Sequence, residues 1–420
     1  MTRLLAFLVL ALPLAAADLR QLNIDSFDQV WNTIRDRHWD PKLGGLDWQK
    51  VREELRPRIE QAATAEEARA ILREMLGGLG HSHLGIIPAE AYGHMDPKGA
   101  SREGSTGVNV RVIGGAALVV SVEPGSPAAE AGVRPGWEIR AIDGQDLAPA
   151  LAAIPEGTRG KRWEGVWLTS LVMNRLAGSP GTAAEVTFRA GNRPVAAVIV
   201  RTRRRGTVYR FGFLPPVYVW SETRRLGNVG YFAFNLFLDP QNVMTAAEKA
   251  ITGCFECDGF IIDLRGNGGG VLGMTIGLAG WFVNESGRLG TLFTRDAKVH
   301  FLVSPRPEVY NGSLAILVDG MTGSSAEVFA GGMQDLKRAR VFGSVTAGGA
   351  LPAQIEKLPN GDALLYAFAD YISEGGKRLE GAGVRPDVEI GLTREALLAG
   401  RDPVLEAALK WIESRKEGKP

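Results

Sequence analysis

A serine at the start of a predicted helix is the first residue that could do chemistry. The stretch LAILVDGMTGSSAEVFAGGMQD, residues 314–335, indicates a buried strand, a short glycine turn and a helix that begins at Ser324. At a helix N-terminus the dipole favours a developing negative charge, and the N–H group of Ser325 could face it. Ser324 and Glu327 also have the spacing of a capping box, so the motif alone leaves a nucleophile and a helix cap equally open.

A serine nucleophile needs a base, and the chain has five histidines: His38, His81, His83, His94 and His300. His81 and His83 flank Ser82 in the glycine-bounded loop GLGHSHLG, and loops of this kind often display functional groups. Two histidines at this spacing could instead bind zinc. Because the sequence has no HExxH motif or cysteine cluster to complete such a site, we expect no metal.

A glycine cluster follows a predicted buried strand in DLRGNGGG, residues 263–270. Glycines let the backbone approach a ligand closely and point its N–H groups at an anion. The residues match neither a phosphate-binding loop nor a dinucleotide fingerprint, so we expect no cofactor; an oxyanion hole and a plain tight turn both remain. Glu380, in RLEGAGVRPDVEI, is either a carboxylate that orients a base or an ordinary loop residue.

The elements that position these residues differ along the chain. Residues 18 to about 78 have the spacing of amphipathic helices, and residues 104 to about 202 alternate apolar and polar positions between glycine and proline turns. From residue 207 onward, strands alternate with helices, which favours a layered α/β core with a largely parallel sheet. We therefore predict a multidomain α/β protein with an N-terminal helical segment and a β-rich module.

Composition excludes several classes of protein. A formal net charge of +1 among 420 residues lacks the basic signature of a nucleic-acid binder.

The first 17 residues read as a signal peptide, so we expect an exported protein, periplasmic or secreted, whose mature chain begins near Asp18 and has no stable membrane span. A retained N-terminal anchor is the alternative. Cys254 and Cys257 form a local disulfide or stay idle thiols.

Part of the β-rich module resembles a PDZ domain. The matching residues are EPGSPAAEAGVRPGWEIRAIDGQDL, and GSTGVNV stands where that family places its carboxylate-binding loop. The resemblance implies that an extended peptide adds as a strand along an exposed sheet edge. The peptide-binding residues would then be Ser105, Thr106, Gly107, Val108, Asn109 and Val110. A structural β-module with a blocked groove is the alternative.

The whole chain resembles the C-terminal-processing (tail-specific) and tricorn-core family of serine peptidases. The motifs that carry the resemblance occur in family order: GHSHLGIIP, the PDZ-like module, DLRGNGGG, SSAE followed by MQD, GSVTAGG and LEGAGVRPDVEI. It implies a crotonase-like α/β catalytic core. The predicted divisions are a signal peptide (1–17), an N-terminal helical segment with the His loop (18–95), a PDZ-like domain (104–202) and a serine peptidase core (207–420).

The family uses two catalytic layouts, and this sequence matches the tricorn-core one. The tail-specific branch has a lysine base in the loop that reads GSVTAGG here, and that position is Gly349. The tricorn-core layout implies Ser324 as nucleophile, His83 as general base and acid, and Ser82 held by Glu380. The same resemblance implies an oxyanion hole from the backbone N–H groups of Gly270 or Gly269 together with Ser325. His81 in place of His83 stays open, and Asp335 matches an acidic position of the other branch.

We therefore predict an exported serine endopeptidase that acts on peptides or unfolded proteins through an acyl-enzyme. One alternative is a non-catalytic protein that binds peptides or apolar ligands on the same fold. Another is a PDZ-centred scaffold whose α/β core is only structural. The sequence carries no signal for an oligomeric state.

Overall fold

The computed structural model describes residues 11–92, 103–155 and 157–417. Residues 1–10 of the predicted signal peptide, and His94, lie outside these ranges. Within the described residues, no helix has both the length and the apolarity needed to cross a bilayer.

Three long helices open the chain and pack against a hairpin from its C-terminal half. The elements of this region are α1 (Ala11–Arg37), α2 (Trp48–Gln61), α3 (Ala65–Gly77), β1 (Gly85–Ile87) and α4 (Ala89–Tyr92). Thr64 caps α3 as its position before Glu67 predicts, with its hydroxyl accepting the Glu67 N–H at 3.2 Å. The apolar faces of the three long helices share one core with Leu358, Leu364 and Tyr366. The helices therefore pack against a distant part of the chain.

A β-rich module follows, with its own apolar core. Its elements are β2 (Gly104–Ser105), β3 (Val108–Ile113), β4 (Ala116–Val122), α5 (Pro127–Glu130), β5 (Glu138–Ile142), β6 (Gln145–Asp146), α6 (Ala148–Ala152), α7 (Glu164–Leu176), β7 (Ala183–Ala190), β8 (Arg193–Val200) and β9 (Thr202–Arg203). The main antiparallel sheet has the order β3-β4-β5-β7-β8, so β3 and β8 are its edges. Strands β2 and β9 pair with each other where the chain enters and leaves the module.

The remaining residues form a layered α/β core. Its strands are β10 (Thr207–Tyr209), β11 (Val217–Val219), β12 (Ser221–Leu226), β13 (Val229–Phe234), β14 (Gly259–Asp263), β15 (Gly287–Thr294), β16 (Lys298–Val303), β17 (Ser313–Val318), β18 (Arg340–Gly343), β19 (Ala353–Lys357), β20 (Ala363–Ala367), β21 (Ala369–Ser373) and β22 (Val388–Glu389). Its helices are α8 (Pro240–Thr252), α9 (Leu272–Ala279), α10 (Ser325–Asp335), α11 (Arg394–Leu398) and α12 (Pro403–Glu417).

The central sheet has the order β12-β13-β14-β17-β18-β22 and is parallel from β13 to β22. Strands β13, β14 and β17 are almost wholly buried, as expected of a parallel sheet covered on both faces. Helices α8, α9 and α10 contribute to the core on one face, and α12 to the core on the other. The predicted mixed α/β architecture is confirmed.

The topology brings the glycine cluster and the serine turn together. Strands β14 and β17 are parallel neighbours, so their carboxyl ends lie at the same edge of the sheet, and DLRGNGGG and DGMTGSS continue from those ends. The His loop reaches this edge by another route, since β1 pairs antiparallel with β20 in the register Ile86–Leu364. Residues from three distant parts of the sequence therefore meet there.

The two cysteines form the local disulfide that was one of the two expectations. Cys254 and Cys257 are bonded just after α8 and are 2% and 7% exposed. The bridge is packed into the core of the sheet, close to Gly230 on β13. It supports the fold and takes no part in the site described below.

Candidate active site

Ser324 occupies a strained turn between β17 and α10. Its φ of 54° and ψ of −125° lie outside the regions that L-residues favour. Such strain persists only where the surroundings hold it. Here the Ser324 N–H group donates to the Gly349 carbonyl oxygen at 2.9 Å and to Glu327 Oε2 at 3.0 Å, and Gly323 N–H donates to the Asn267 carbonyl oxygen at 2.9 Å.

The capping-box geometry between Ser324 and Glu327 is present, as one interpretation of the sequence expected. The Glu327 N–H group, however, already donates to the Ser324 carbonyl oxygen at 2.8 Å. The helix start therefore does not depend on the hydroxyl, which leaves the hydroxyl able to react. The cap and the nucleophile are compatible roles for this residue.

The glycine cluster presents a free N–H group beside this turn. The Gly269 N–H donates to Asn267 Oδ1 at 2.9 Å, so it is engaged. In the described part of the chain, neither Gly270 N–H nor Ser325 N–H has a hydrogen-bond partner. Ser325 Oγ donates to the Gly270 carbonyl oxygen at 2.7 Å, which ties the two residues together. Of the three candidate donors, only the N–H groups of Gly270 and Ser325 are available to donate hydrogen bonds to an anion.

Gly269 explains why this loop must be glycine-rich. A Cβ atom there would lie 2.6 Å from Ser324 Cβ and 2.7 Å from the Gly323 carbonyl oxygen, and the residue has φ of +94°. Any side chain would push the loop away from the serine turn. The glycine brings the DLRGNGGG backbone against the serine turn.

Glu380, Ser82 and His83 form a continuous hydrogen-bonded chain. Ser82 Oγ lies 2.8 Å from Glu380 Oε2 and 2.7 Å from His83 Nδ1, and Ser82 N–H donates to Glu380 Oε1 at 2.8 Å. The hydroxyl has one proton, and the carboxylate can only accept it. Ser82 Oγ must then accept from His83 Nδ1–H, which leaves Nε2 unprotonated and able to act as a base.

The surroundings of His83 favour that neutral form. Burial lowers the pKa of His83 below its ordinary value near 6.5, and the negative charge of Glu380 opposes this by raising the pKa. His83 has φ of 56° and, with Ser324, is one of six non-glycine residues with positive φ in the described ranges. Two strained residues at one edge of the sheet indicate a functional site.

Gly349 connects the histidine to the serine. Its carbonyl oxygen accepts the Ser324 N–H, as described above. A Cβ atom built on it would lie 3.5 Å from Ser82 Cβ and 3.8 Å from His83 Cε1. The position where the other catalytic layout has lysine therefore faces the space that Ser82 and His83 occupy.

Glu327 has a role that its spacing in the sequence did not indicate. It is fully buried and accepts four hydrogen bonds, from Ser324 N–H, Gly349 N–H at 3.1 Å, Gly348 N–H at 2.8 Å and Thr346 Oγ1 at 2.5 Å. Burial raises the pKa of Glu327 to about 7, and these hydrogen bonds oppose the rise. Because both oxygens face only donors, the carboxylate is the form that fits, and it fixes the serine turn to the loop that faces His83.

Two other histidines lie outside this arrangement. His81 packs against His38 and Trp39, with ring centroids 5.7 Å from each, and His81 Nδ1 has no hydrogen-bond partner in the described residues. His300 is exposed on β16 and its Nδ1 lies 2.9 Å from Thr291 Oγ1. The geometry brings His83 to Ser82 and Glu380, and it does not bring His81 there.

Asp335 serves a turn instead of the serine. Its carboxylate pairs with Lys377 at 3.0 Å and accepts the Gly375 N–H at 2.9 Å. It therefore holds the turn after β21 that leads to Glu380. No group of three or more potential metal ligands occurs among the described residues.

The residues expected to bind peptide lie on the edge strand β3, in the turn before it and, for Ser105, at the end of β2. The side chains of Thr106, Val108 and Val110 are buried, while the backbone of β3 forms an edge of its sheet. Ser105 Oγ accepts the Gly107 N–H at 3.0 Å. Asn109 is half-buried, and its Nδ2 donates to Ser121 Oγ at 2.9 Å.

An ion pair that the sequence did not indicate joins this strand to the core. Arg111 Nε donates to Asp319 Oδ2 at 2.7 Å. The other oxygen of Asp319 accepts the N–H groups of Gly266 and Met321, both at 2.9 Å. Gly266 belongs to the glycine-rich loop and Met321 to the serine turn, so Arg111 contacts the carboxylate that organises both.

Comparison with known proteins identifies the family. The model of peptidase family S41 matches residues 228–390, and the tricorn protease C1 domain matches residues 25–77. Residues 228–390 therefore form a peptidase family S41 domain. A domain of this family indicates a serine-type peptidase. The S41 match contains Ser324, Glu380 and the glycine-rich loop, while Ser82 and His83 lie outside both matched ranges.

Relatives and solved structures are similar over most of this chain. A tricorn protease homolog of Streptomyces coelicolor is 28% identical over 96% of the chain and 33% of its own length. A carboxyl-terminal-processing protease of Synechocystis is 25% identical over 86% of the chain and 79% of its own length. The solved photosystem II D1 C-terminal processing protease is 20% identical, with a TM-score of 0.58 over 91% of this chain and 96% of its own. The chain thus spans a third of the Streptomyces relative.

We expect Glu380→Gln to slow peptide hydrolysis by this chain about 10²-fold or more. The base must be neutral, so the rate falls as pH drops through the His83 pKa, which burial holds low. The Glu380 charge stabilises the imidazolium, so its removal lowers that pKa further. The acid limb of kcat/KM, measured from pH 4.5 to 9, should therefore move to lower pH in the variant. A limb that moves upward would contradict this arrangement.

Glu374→Gln is the matched control. Glu374 is a neighbouring glutamate that pairs with Arg288 at 2.8 Å and makes no contact with Ser82 or His83. Its replacement should leave the pH profile unchanged.

Proposed function

We propose that the chain is an exported serine endopeptidase that hydrolyses peptide bonds through an acyl-enzyme on Ser324. The observation that carries the proposal is the chain of hydrogen bonds Glu380–Ser82–His83, in which only one arrangement of protons is allowed. That arrangement leaves a basic nitrogen on a residue that adjoins Gly349, the hydrogen-bond partner of Ser324.

The proposed mechanism follows from these positions. His83 Nε2 takes the Ser324 hydroxyl proton as the oxygen attacks the scissile carbonyl carbon. The resulting oxyanion accepts the N–H groups of Gly270 and Ser325, near the N-terminus of α10. The imidazolium of His83, stabilised through Ser82, then gives the proton to the leaving amine. In the second half of the reaction, His83 takes a proton from a water molecule as the water oxygen attacks the acyl carbon. It then returns this proton to Ser324 Oγ as the acyl group leaves.

We infer that the β-rich module, which we assign as PDZ-like, engages an extended or C-terminal segment of the substrate. The free backbone edge of β3 supports addition of a peptide strand. Thr169 Oγ1 on α7 accepts the Val112 N–H at 3.3 Å, and Arg111 Nη1 donates to the Val110 carbonyl oxygen at 2.9 Å, so the open part of the edge lies toward its N-terminal end at Val108. We assign the α/β core to the crotonase-like architecture, with the domain limits predicted above.

Export is part of the same proposal. The disulfide between Cys254 and Cys257 supports it, because such bonds persist in oxidising compartments and are rare in the cytosol. We infer that the mature enzyme acts in the periplasm or outside the cell, on peptides or unfolded proteins.

A fluorophosphonate probe tests the proposed function. The probe phosphonylates an activated serine hydroxyl, and we expect it to label Ser324 in the wild type. His83→Ala should slow labelling about 10²-fold or more because the base is lost. Labelling is followed over time by mass spectrometry of the Ser324 peptide.

His300→Ala serves as the control, since His300 is exposed on β16 and bonds to Thr291. It should label at the wild-type rate. Equal rates for His83→Ala and wild type would exclude His83 as base. A wild type that binds peptides without any labelling would favour the non-catalytic alternative.

A further inference from the structure

A basic segment precedes helix α7 in the β-rich module. Arg159, Lys161 and Arg162 all lie within a short turn and are exposed. The one acidic residue described nearby, Glu164, accepts the Gly160 N–H group at 2.5 Å. With Glu156, which lies outside the described residues, the sequence 156–164 has three basic and two acidic side chains, so the segment carries a small excess of positive charge.

Arg162 lies against the loops of the candidate active site. A Cβ atom placed at Gly348 would lie 2.9 Å from Arg162 Cγ and 3.2 Å from the Gly381 carbonyl carbon. Gly348 directly precedes Gly349, which bonds to Ser324, and Gly381 directly follows Glu380. The aliphatic stem of Arg162 thus borders both loops that hold the proposed catalytic residues.

Among the described residues, Arg162 has no ionic partner, unlike the other arginines around these loops. Those arginines form the pairs Arg111–Asp319, Arg265–Asp263 and Arg378–Asp370. Within the described residues, no acidic side chain pairs with Arg162, and the same holds for Arg159 and Lys161. An exposed guanidinium that has no counter-charge among the described residues, and whose stem borders these loops, is suited to bind an anion that arrives with the substrate.

We propose that Arg162 recognises a carboxylate of the substrate close to the scissile bond. The carboxylate belongs to an acidic side chain or to the free C-terminus of the peptide. Arg159 and Lys161 add positive potential that raises the local concentration of such substrates. This inference rests on the proposed function, because it names the substrate class of the same site.

Four versions of one peptide test the proposal. The wild type first digests an unfolded protein, and the site that it cleaves fastest supplies the sequence of the test peptide. This peptide is then made with Glu or Gln next to the scissile bond, each with a free or an amidated C-terminus. We expect the wild type to cleave at least one carboxylate version about 3- to 10-fold faster in kcat/KM than its neutral counterpart, mostly through KM. The two arms distinguish the side chain from the C-terminus.

Two variants and a control separate charge from structure. Arg162→Gln should remove the preference, so that the carboxylate and neutral versions are cleaved at equal rates, and Arg162→Lys should keep part of it. Arg193→Gln, at the opposite edge strand β8 of the sheet, should behave as wild type. The wild-type preference should shrink when salt is raised from 0.1 M to 1 M, since the screening length falls from about 10 Å to about 3 Å.

The outcomes separate this inference from the proposed function. A wild type with no preference, or an Arg162→Gln variant that keeps the full preference, would overturn the role of Arg162 while the peptidase assignment stands. If the wild type cleaved peptides no faster than Ser324→Ala does, both the role of Arg162 and the peptidase assignment would be overturned.

Discussion

Ser324→Ala is expected to reduce kcat for peptide hydrolysis by about 10⁶-fold and to leave the fold intact. The substitution removes only the hydroxyl, so the proposed peptide-binding edge and both proposed oxyanion donors are preserved. We expect the free energy of unfolding to change by less than about 0.5 kcal/mol, because Glu327 N–H keeps its bond to the Ser324 carbonyl oxygen. The measurements are kcat with a fluorogenic peptide and a denaturant titration.

Ser324→Gly sharpens the test. Glycine tolerates φ of 54° and ψ of −125°, so the strain at this position, of the order of 1 kcal/mol or more, should be relieved. The higher chain entropy of glycine in the unfolded state offsets part of this gain. We therefore expect an inactive variant whose stability is equal to that of wild type or higher.

Ser325→Ala is the matched comparison for both. It removes the adjacent hydroxyl, which ties Gly270 in place, but keeps the Ser325 N–H. We expect a loss of about 10-fold, from a loosened oxyanion donor. If Ser324→Ala kept its activity, or if it lost 1–2 kcal/mol of stability without a catalytic effect, Ser324 would be a helix cap and nothing more.

The parts of the site that the sequence predicts are local in the chain. Hydrophobic patterning and glycine turns indicate β14, β17 and α10, and parallel pairing brings their ends together. Ser82 and His83 are neighbours, so their partnership needs only one correct loop. The contact of Ser82 with Glu380 spans 298 residues, and it was available only through the family resemblance.

The remaining contacts depend on packing between distant segments, which no local pattern encodes. Asn267 Oδ1 accepts the Gly269 N–H, so which of Gly269 and Gly270 is available as an oxyanion donor depends on the rotamer of one side chain. Arg111 and Asp319 are 208 residues apart and meet only because the β-rich module packs on the core. His81 has the same residue type and nearly the same position as His83, but its ring stacks on His38. Such outcomes require the assembled structure.

Gly349→Leu is expected to reduce peptide hydrolysis by about 10⁴-fold, close to the effect of losing the base. A side chain at this position begins 3.5 Å from Ser82 Cβ, 3.6 Å from Ser82 Oγ and 3.8 Å from His83 Cε1. Three further carbon atoms would occupy the volume of the imidazole and displace it from its position beside Gly349. The proposed histidine base and a long side chain at position 349 would therefore compete for the same space in this fold.

Gly349→Ala is the control that gives this prediction its meaning. The Cβ distances are ordinary van der Waals contacts, and Gly349 does not have the positive φ that would exclude alanine. Residue 349 bonds to Glu327 through its backbone N–H group and to Ser324 through its backbone carbonyl oxygen, so both variants can keep these bonds. We expect Gly349→Ala to retain activity within about 10-fold of wild type, whereas Gly349→Leu should match His83→Ala in both hydrolysis and fluorophosphonate labelling. Equal activity of the leucine and alanine variants would show that His83 does not act from the position next to Gly349.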